Sequence, residues 1–574
     1  MDFYKEQYQK WLNSDLLSHD EKQELISLSN NEDLIKERFY TSLEFGTAGL
    51  RGKMRMGTNA MNKFTVAQAT QGLANLIIKE NRAADGVAIA YDSRNNSELF
   101  AKVSASVLAA NGIKAYIFDE LRPTPELSFA LRHLNCVAGI NITASHNPKE
   151  YNGYKAYWED GAQLPPEHAK TVSAEIEKID IFADVKHTDF DKAVSEGKIL
   201  ILDQEMDEAY LSEVMKQLVN PNAIKNVAND LHIVYSPLHG TGYRLIPDIL
   251  ARCGVEHLYV VPEQMEINGD FPTVEKPNPE YPEVFKLGVE IANSVGSTLV
   301  IATDPDADRV GVVTKNNVGE FVTISGNQMG ALLIDYIITA YEETGTMPNN
   351  PYVVKTIVST ELVAKICEAH NVKLHNVLTG FKFIGEVIKN YEQSGADATY
   401  LFGFEESYGY LKGTYARDKD AVVATMLICE MTAFYHAKGM TLFDALNGLY
   451  EKYGQYLETN QEVYMDGIDG KERMASLMNV LRNNAPESIG GKRIIEVGDY
   501  LTATITNKLT STVSSTNLPF SNVISFKMEN NDVIIARPSG TEPKIKFYYL
   551  LTGKSKEEMT ANLESYKSFI SSFV

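Results

Sequence analysis

The chain has 574 residues, 44% of them hydrophobic and 23% charged, and its formal net charge is −22. At about 150 residues per domain, this length predicts roughly four domains, and the composition is typical of globular proteins rather than of disordered ones. The negative charge argues against nucleic acid and membrane surfaces as partners, so an anionic small molecule would have to be held by local cationic groups.

The amino terminus and the cysteines indicate a cytoplasmic protein. The first residues, MDFYKEQYQKW, are charged and aromatic where a secretory signal would have a basic start and an apolar middle. No apolar stretch reaches the roughly 20 residues that span a bilayer. The cysteines are far apart and form no CxxC pair, which favours buried thiols in a reducing compartment over disulfides or zinc ligands. They are Cys136, Cys253, Cys367 and Cys429.

The opening forty residues are predicted to form a helical arm. Tyr4, Tyr8, Leu12 and Leu16 recur with helical spacing among charged residues. Such a pattern favours a helix that packs one face against the rest of the protein. We expect no catalytic residue in this arm, which comprises residues 1–40.

Three later segments repeat one order of elements: a β-branched strand, an amphipathic helix, a break at a small residue and a second strand. They are residues 86–120, 231–261 and 352–378. A strand, a crossover helix and a second apolar strand form a right-handed βαβ unit, whose sheet is covered on both faces. The sequence therefore predicts three related α/β domains with mixed sheets around a central cleft, over residues 41–207, 208–325 and 326–453.

The remainder of the chain, residues 454–574, has a different pattern. Four segments rich in β-branched and aromatic residues are interpreted as strands, at 455–465, 494–506, 523–528 and 533–536. A helix is predicted to close the chain over residues 555–573. Consecutive strands followed by a helix are typical of a smaller α+β domain.

A serine lies in a polar loop after the predicted strand 136–142. The loop, residues 143–148, has the sequence TASHNP. A serine hydroxyl accepts a phosphoryl group only if its proton can leave and the incoming charge is met, and His146 and Lys155 could supply these needs for Ser145. An ordinary turn closed by Asn-Pro is the alternative, because serine, asparagine and proline are frequent in turns.

Three aspartates alternate in the loop DPDADR, residues 304–309, between two predicted strands. With this spacing the carboxylates can converge on one hard divalent cation, and Mg²⁺ is the best candidate. The candidate ligands are Asp304, Asp306 and Asp308. An EF-hand is excluded, because Arg309 stands where its glycine is needed and Lys315 where its bidentate glutamate should be. A solvated acidic turn is the other alternative.

The segment GFEESYG, residues 403–409, is a candidate sugar-binding loop. Glutamate and serine side chains pair with sugar hydroxyls, and glycines let the backbone come close, so Glu405 and Ser407 are the candidate ligands. A capped helix start is the alternative. Two flanking segments carry cations that could meet a substrate phosphate or protonate a leaving oxygen. They are Thr379-Gly380-Phe381-Lys382 and Arg417-Asp418-Lys419-Asp420.

The last candidate loop, RPSGTEP at residues 537–543, is typical of an anion cradle. Arginine supplies a bidentate fork, serine and threonine supply hydroxyls, and glycine frees backbone N–H groups to point at a tetrahedral anion. The candidate phosphate ligands are Arg537, Ser539, Gly540 and Thr541. A proline-bounded turn is the alternative. A Walker-type nucleotide loop is excluded, because GxxxxGK[ST] occurs nowhere in the chain.

In this order, and spread over nearly the whole chain, these loops resemble the α-D-phosphohexomutase superfamily, in particular its phosphoglucomutase and phosphopentomutase branch. The resemblance includes the segment GTAGLRG at residues 46–52. It implies that α-D-glucose 1-phosphate and glucose 6-phosphate are interconverted through a phosphoserine enzyme and glucose 1,6-bisphosphate, which is also the activator. It further implies Mg²⁺ as cofactor, a small phosphosugar as partner, and a monomer or weak dimer.

The resemblance also implies roles for individual residues. Ser145 would carry the phosphoryl group and join the three aspartates as a metal ligand, and Arg51, His146 and Lys155 would surround the transferring group. The residues implied in substrate binding are Arg309, Thr379, Gly380, Lys382, Glu405, Ser407, Lys419 and His239. The loop at 537–543 would hold the phosphate that does not react.

Two departures from the family pattern leave the preferred sugar open. Many relatives have glycine at the positions of Pro305 and Ala307, and many have a histidine shortly after the sugar-loop serine, where this chain has Tyr408-Gly409-Tyr410. Phosphopentomutase, phosphomannomutase and sugar-bisphosphate synthase activities therefore remain alternatives, as does a metal-dependent phosphomonoesterase that uses the same serine. Outside the enzymes, the alternative is a noncatalytic phosphosugar sensor, which would not need serine, metal carboxylates and cations together.

Overall fold

The computed structural model describes residues 2–46, 49–465, 469–539 and 544–572. The chain forms two compact units. The first unit comprises Met1–Ile324, Ile388–Gln393 and Gly409–Gly439, and the second comprises Ser325–Val387, Ser394–Tyr408 and Met440–Val574. Within the described ranges, every helix is too short or too polar to cross a membrane.

Helices and strands alternate along most of the chain. The α-helices are α1 Phe3–Leu12, α2 His19–Ser27, α3 Glu32–Phe39, α4 Lys63–Lys79, α5 Ser97–Ala110, α6 Thr124–His133, α7 Pro166–Ile176, α8 Phe190–Ser195, α9 Gln204–Met215, α10 Asn222–Asn226, α11 Gly242–Cys253, α12 Pro262–Met265, α13 Lys286–Val295, α14 Gly326–Thr344, α15 Leu362–Ala369, α16 Phe381–Ser394, α17 Ala421–His436, α18 Leu442–Tyr453, α19 Gly470–Asn483 and α20 Lys556–Ser571. A 3₁₀ turn occupies Pro282–Phe285.

The strands belong to four sheets. They are β1 Leu50–Lys53, β2 Val87–Tyr91, β3 Ala115–Phe118, β4 Ala138–Ile142, β5 Tyr151–Trp158, β6 Ile199–Leu202, β7 His232–Ser236, β8 His257–Val260, β9 Leu299–Thr303, β10 Val310–Lys315, β11 Phe321–Ile324, β12 Pro351–Thr356, β13 Lys373–Val377, β14 Thr399–Glu405, β15 Gly409–Leu411, β16 Gln455–Tyr464, β17 Ser488–Ile489, β18 Lys492–Asp499, β19 Thr504–Asn507, β20 Val513–Ser515, β21 Ile524–Met528, β22 Val533–Pro538 and β23 Lys544–Gly553.

The first three helices form the predicted N-terminal arm, which has a small core of its own. Trp11 is fully buried, and its ring makes edge contacts with Phe39, Phe64 and Phe182 at centroid distances of 5.9, 5.6 and 5.2 Å. The arm is thereby packed on α4, which carries Phe64. The prediction for Leu16 is wrong: this side chain is 51% exposed, because α1 ends at Leu12 and Leu16 lies in the turn that follows.

The first sheet has the strand order β1-β5-β4-β2-β3-β6. Strands β4, β2, β3 and β6 are parallel, and β5 and β1 are added antiparallel at one edge. Every residue of β2 is buried, as expected for a strand covered on both faces. Helix α5 ends before Asn111, and Gly112 follows with φ of +76°, a left-handed conformation that suits a helix end. The predicted βαβ unit is therefore present, and β4 leads directly into the serine loop.

The second sheet repeats this plan with the order β11-β10-β9-β7-β8. Strands β9, β7 and β8 are parallel, and β10 and β11 are antiparallel to their neighbours. Strand β9 leads into the loop that carries the three aspartates. The serine loop and the aspartate loop therefore both leave the carboxyl ends of parallel strands, where α/β proteins characteristically bind ligands.

The second unit contains the third α/β region and the C-terminal sheet. In the third region, β12 pairs in parallel with both β13 and β14. The C-terminal sheet is antiparallel, in the order β16-β23-β22-β21-β18-β19-β20, with β17 paired to β18. An apolar cluster joins the two, in which Val358 and Leu378 pack together with Ile535, Tyr548 and Leu550. The predicted fold class, three α/β regions followed by an α+β region, is confirmed.

One predicted strand of the C-terminal region is wrong. Residues 494–506 do not form one strand but two, β18 and β19, which pair with each other as a hairpin. Apolar and β-branched residues continue through the connection between β18 and β19, so the sequence pattern does not indicate the turn. The turn is fixed by the Asp499 carboxylate, which accepts a hydrogen bond from the Leu501 N–H at 3.0 Å, and by Ala503, whose φ is +54°.

The core of the arm can be tested with Phe39, which is fully buried against Trp11. We expect Phe39→Ala to lower the free energy of unfolding of the arm by about 3 to 5 kcal/mol, because a large buried ring is replaced by a cavity. Urea unfolding followed by Trp11 fluorescence in a Trp158→Phe background measures this change. Leu16→Ala is the matched control and should change it by less than about 0.5 kcal/mol. Equal effects would contradict the assignment of the buried face.

Candidate active site

Ser145 lies in the tight loop after β4 and is 4% exposed. Its Oγ donates a hydrogen bond to Asp304 Oδ2 at 2.7 Å and lies 3.1 Å from His146 Nδ1. Its backbone N–H donates to Thr143 Oγ1 at 2.8 Å, and its φ of +51° lies in the left-handed region. A non-glycine residue is held in that conformation only where its surroundings determine it, which is common at functional sites.

The aspartate loop follows β9 and buries all three carboxylates. Asp304 Oδ1 accepts hydrogen bonds from the N–H groups of Asp308 and Arg309, at 3.1 and 3.0 Å. These bonds, with Ala307 at a φ of +47°, curl the chain so that the alternating side chains converge. One oxygen from each of the three carboxylates lies within 4.8 Å of the others.

The carboxylates of Asp306 and Asp308 each use one oxygen for protein contacts and keep the other free of hydrogen bonds. Asp306 Oδ2 accepts from Lys155 Nζ at 2.7 Å and from Thr124 Oγ1 at 2.8 Å. Asp308 Oδ2 lies 3.2 Å from Lys155 Nζ and 3.2 Å from Lys419 Nζ. The Oδ1 atom of each is buried and receives no hydrogen bond from any residue that the structure describes. Such orphaned carboxylate oxygens fit a hard divalent cation, so this group could hold Mg²⁺.

The pKa values of this group reflect crowded negative charge. Burial, followed by the charges of Asp306 and Asp308, raises the pKa of Asp304 well above its ordinary value. Burial also opposes ionisation of Asp308, but Lys155, Lys419 and Arg309 outweigh it and lower its pKa. An added cation would relieve the repulsion that Asp304 experiences.

Further cations border the serine loop. Arg51 lies on β1 and donates from Nη1 to Asn147 Oδ1 at 3.1 Å. Arg309 forms an ion pair with Glu280. Burial, then the positive charges of Arg309 and Arg51, lowers the pKa of His146 well below its ordinary value, so that the imidazole is neutral at pH 7. The structure thus gathers Arg51, His146, Lys155, Arg309 and Lys419 around the serine and aspartate loops.

Lys419 is held in this position by its neighbours. Its Nζ lies 3.0 Å from Asp418 Oδ1, and Asp418 Oδ2 accepts a hydrogen bond from the Tyr157 hydroxyl at 2.9 Å. Asp420, the next acidic residue, accepts hydrogen bonds from the hydroxyls of Tyr210 and Tyr415 at 2.8 and 2.6 Å. These buried tyrosines fix the loop that carries Lys419.

Arg94 holds the serine loop together and was missed by the sequence analysis. Its guanidinium is 3% exposed and donates to four backbone carbonyls of the loop. They belong to Ser145, Asn147, Pro148 and Tyr151, at 2.6, 2.5, 2.9 and 3.0 Å. One feature of the sequence could have indicated this role. The polar group Asp92-Ser93-Arg94 directly follows β2, at the same edge of the sheet as the serine loop. Thr124, which follows a proline, was missed in the same way.

The second unit brings the predicted sugar loop beside a second predicted loop. The N–H of Gly380, next to Thr379, donates to Glu405 Oε1 at 2.7 Å. Ser407 Oγ donates to Glu406 Oε1 at 3.1 Å. Lys382 Nζ lies 5.1 Å from the centre of the Phe383 ring. Carboxylate, hydroxyl and ammonium groups are thus available for a polyol within this unit.

The predicted phosphate loop lies partly outside the described residues, which exclude Gly540 and Thr541. Arg537 Nη1 lies 3.4 Å from the Tyr548 hydroxyl. Burial, then the charge of Glu406, raises the pKa of Tyr548, so this hydroxyl lies close to the sugar loop as well. The Ser539 N–H donates to the carbonyl of Lys544 at 2.8 Å. Tyr548 was not singled out from the sequence, because it occupies an ordinary strand position.

The side chain of His239 contacts the segment that follows α12. Nδ1 donates to the carbonyl of Glu266 at 2.8 Å, and Nε2 lies 2.8 Å from Thr273 Oγ1. Both ring nitrogens are therefore used, and the residue is fully buried. The adjacent Thr241 N–H donates to the carbonyl of Pro305 at 2.8 Å. His239 thus supports the segment next to the aspartate loop, and its contact with substrate stays a prediction.

The bond from Thr124 to Asp306 can be tested by metal binding. We expect Thr124→Val to weaken Mg²⁺ binding by about tenfold to a hundredfold, because outer contacts orient a ligating carboxylate. Isothermal titration calorimetry of the full chain measures the affinity. Thr171→Val, on the remote helix α7, is the matched control and should leave it unchanged. Equal affinities in all three proteins would contradict the orienting contact, and a parent chain that does not bind Mg²⁺ would contradict the cation site.

Comparison with known proteins identifies the family. Residues 42–182, 208–319 and 325–453 match the models of the phosphoglucomutase/phosphomannomutase alpha/beta/alpha domains I, II and III. A phosphoglucomutase of Staphylococcus haemolyticus is 36% identical over 532 residues, which cover 92% of this chain and 94% of the relative.

Solved structures share the fold. The open form of Paramecium pp63/parafusin, a phosphoglucomutase, superposes with a TM-score of 0.68 at 17% identity and covers 93% of this chain and 95% of its own. Aspergillus fumigatus N-acetylphosphoglucosamine mutase, in complex with GlcNAc-6P and magnesium, gives a TM-score of 0.51 at 13% identity, over 93% of this chain and 96% of its own. Together with the family models and the S. haemolyticus relative, the motifs identify the chain as a member of the α-D-phosphohexomutase superfamily, an enzyme of the phosphoglucomutase type and hence an intramolecular phosphotransferase of the isomerase class.

Proposed function

We propose that the chain interconverts α-D-glucose 1-phosphate and glucose 6-phosphate, with Ser145 as the residue that carries the phosphoryl group. The observation that carries the proposal is the contact of 2.7 Å between Ser145 Oγ and Asp304, inside a buried group of three aspartates bordered by lysines and arginines. A hydroxyl beside a cation-binding carboxylate cluster is what phosphoryl transfer requires. The names of the similar phosphoglucomutases support glucose as the sugar.

In the first half-reaction, phosphoserine gives its phosphoryl group to the free hydroxyl of a sugar monophosphate. A bond forms between the hydroxyl oxygen and phosphorus, the bond between phosphorus and Ser145 Oγ breaks, and the hydroxyl proton of the sugar ends on the departing serine oxygen. The neutral imidazole of His146, whose Nδ1 lies 3.1 Å from Oγ, is close enough to relay this proton. The product of this step is glucose 1,6-bisphosphate.

In the second half-reaction, the bisphosphate reorients and returns its other phosphoryl group to Ser145. The bond from that phosphorus to the sugar oxygen breaks, a new bond to Oγ forms, and the proton of the Ser145 hydroxyl ends on the departing sugar oxygen. The released monophosphate is the isomer of the substrate, and the phosphoserine is restored. Free glucose 1,6-bisphosphate therefore acts as an activator that phosphorylates unmodified enzyme.

Mg²⁺ bound by Ser145, Asp304, Asp306 and Asp308 would supply charge stabilisation to the transferring phosphoryl oxygens. A magnesium complex of a mutase with the same fold supports this choice of metal. Lys155 and Lys419, which lie 3.2 Å from the same aspartate oxygen, would add positive charge on the protein side. Arg51 and Arg309 would assist them.

The residues of the other candidate loops would recognise the rest of the substrate. Glu405 and Ser407 would bind sugar hydroxyls, and Thr379, Gly380 and Lys382 would border them. The phosphate that does not react would be held by Arg537, Ser539, Gly540 and Thr541. The proposed setting is a cytoplasmic monomer or weak dimer.

The role of Ser145 is tested by Ser145→Ala. We expect this variant to lose mutase turnover by at least about a thousandfold, since the covalent carrier is removed, while its unfolding midpoint stays unchanged. A coupled assay for glucose 6-phosphate formation measures the rate. Ser294→Ala, an exposed serine of α13, is the control and should retain full turnover. Comparable turnover in both variants would remove Ser145 from the mechanism.

The substrate is tested with a panel of sugar 1-phosphates: glucose, mannose, glucosamine and ribose, each with a trace of the bisphosphate. We expect the highest kcat/KM for glucose 1-phosphate, with glucose 6-phosphate as product. Release of inorganic phosphate would indicate a phosphomonoesterase, and accumulation of bisphosphate from another phosphoryl donor would indicate a synthase. Preference for the mannose or ribose substrate would replace glucose in the proposal.

A further inference from the structure

A short segment of the second α/β region packs directly on the residue that holds the serine loop. This segment, residues 266–274, follows α12 and contains the turn Asn268-Gly269-Asp270, which leads to Phe271. Phe271 is 1% exposed, and its ring centre lies 5.1 Å from the guanidinium carbon of Arg94. Arg94 in turn donates to the four carbonyls of the serine loop described above. Arg94 thus contacts both the Phe271 ring of this segment and the backbone of Ser145.

Independent contacts fix the segment at this place. The backbone of Gly269 is so close to the backbone of Arg94 and Asn95 that a Cβ atom there would lie 2.4 Å from Asn95 N. Asn95 Nδ2 also donates to Asp270 Oδ1 at 3.2 Å. The two bonds of His239, to Glu266 and Thr273, hold the two ends of the same segment.

The backbone of Phe271 is itself in an unfavourable conformation. Its φ is +48°, a left-handed value that is unfavourable for a bulky L-residue. Glycine or asparagine would adopt it more easily. The backbone therefore does not explain why phenylalanine stands here, and the contact of its ring does. The ring lies against the guanidinium of Arg94, whose N–H groups already donate to backbone carbonyls.

We propose that Phe271 is a positioning residue for phosphoryl transfer, acting through Arg94, an inference that rests on the proposed function of Ser145. The ring lies against the guanidinium face, so water is kept from competing for the N–H groups that hold the serine loop. The attraction between ring and cation adds to this restraint. Loss of the ring loosens the loop and misplaces Ser145 Oγ, while the groups that bind the sugar are unaffected.

Two variants remove the contact by different routes, and a third is the control. Phe271→Leu removes the ring but keeps an apolar side chain, whereas Gly269→Ala pushes the segment away from Asn95 and leaves the ring intact. Tyr281→Leu is the matched control, because Tyr281 is an exposed aromatic residue of the same connection, and its ring lies 5.9 Å from the Nζ of a different cation, Lys276. Either of the first two variants suffices for the test if the other fails to fold.

Amide hydrogen exchange of the peptide that spans residues 143–152 reports on the loop without reference to activity. We expect exchange to accelerate by about tenfold in Phe271→Leu and Gly269→Ala, the factor that corresponds to loss of a desolvated cation–π contact. Tyr281→Leu should exchange like the parent. Unchanged exchange in a folded Phe271→Leu or Gly269→Ala protein would overturn the proposal.

Kinetics separate positioning from general destabilisation. We expect kcat for glucose 1-phosphate to fall by about tenfold in both variants with KM changed by less than about twofold, because substrate binding is retained. Combining Phe271→Leu with Arg94→Lys should add nothing to the effect of Arg94→Lys alone, and additive losses would overturn action through Arg94. If the parent chain has no mutase turnover, the proposed function fails while the exchange result still decides whether Phe271 orders the loop.

Discussion

Three buried aspartates that face one another are the constraint on which the rest of the structure depends. Carboxylates removed from water repel each other strongly, and each needs hydrogen bonds or positive charge to remain ionised. The protein supplies both through Lys155, Lys419 and the hydroxyl of Thr124. These partners come from separate parts of the sequence, so the charged group can form only when the surrounding elements are folded around it.

The negative charge of the three aspartates also bears on what the site can bind. Even with these cations nearby, burial and the charges of Asp306 and Asp308 raise the pKa of Asp304, and two carboxylate oxygens receive no hydrogen bond from the described residues. The site is therefore incomplete electrostatically in a way that a divalent cation completes. With a cation in place, the surrounding lysines and arginines would add positive charge towards phosphate oxygens, which would let an acidic protein with a net charge of −22 act on anionic sugars.

The sequence predicted the elements and loops that follow simple local rules. Strong β-branched strands with helix-ending residues such as Gly112 and Gly254 predicted the α/β units, and the alternation of Asp304, Asp306 and Asp308 predicted their convergence. The division into four domains at residues 41, 208, 326 and 454 and the central cleft remain predictions. The hairpin after Asp499 was missed, because its turn carries the same apolar pattern as the strands.

The supporting residues could not be predicted, because their roles depend on distant partners. Arg94 lies 51 residues before Ser145 in the sequence, and Thr124 lies 182 residues before Asp306. Their residue types are ordinary for their local context, and only the packing of sheets gives them a role. The same applies to His239, whose sequence suggested a substrate contact but whose two ring nitrogens serve the neighbouring loop.

The proposed mechanism requires the hydroxyl of Ser145 to carry the phosphoryl group. Incubation of the purified full chain with Mg²⁺ and glucose 1,6-bisphosphate, followed by peptide mapping with mass spectrometry, locates that group directly. We predict one phosphoryl group, on the peptide that contains Ser145 and on that residue alone. A phosphorylated peptide from another part of the chain, with Ser145 unmodified in a protein that turns over substrate, would contradict the claim.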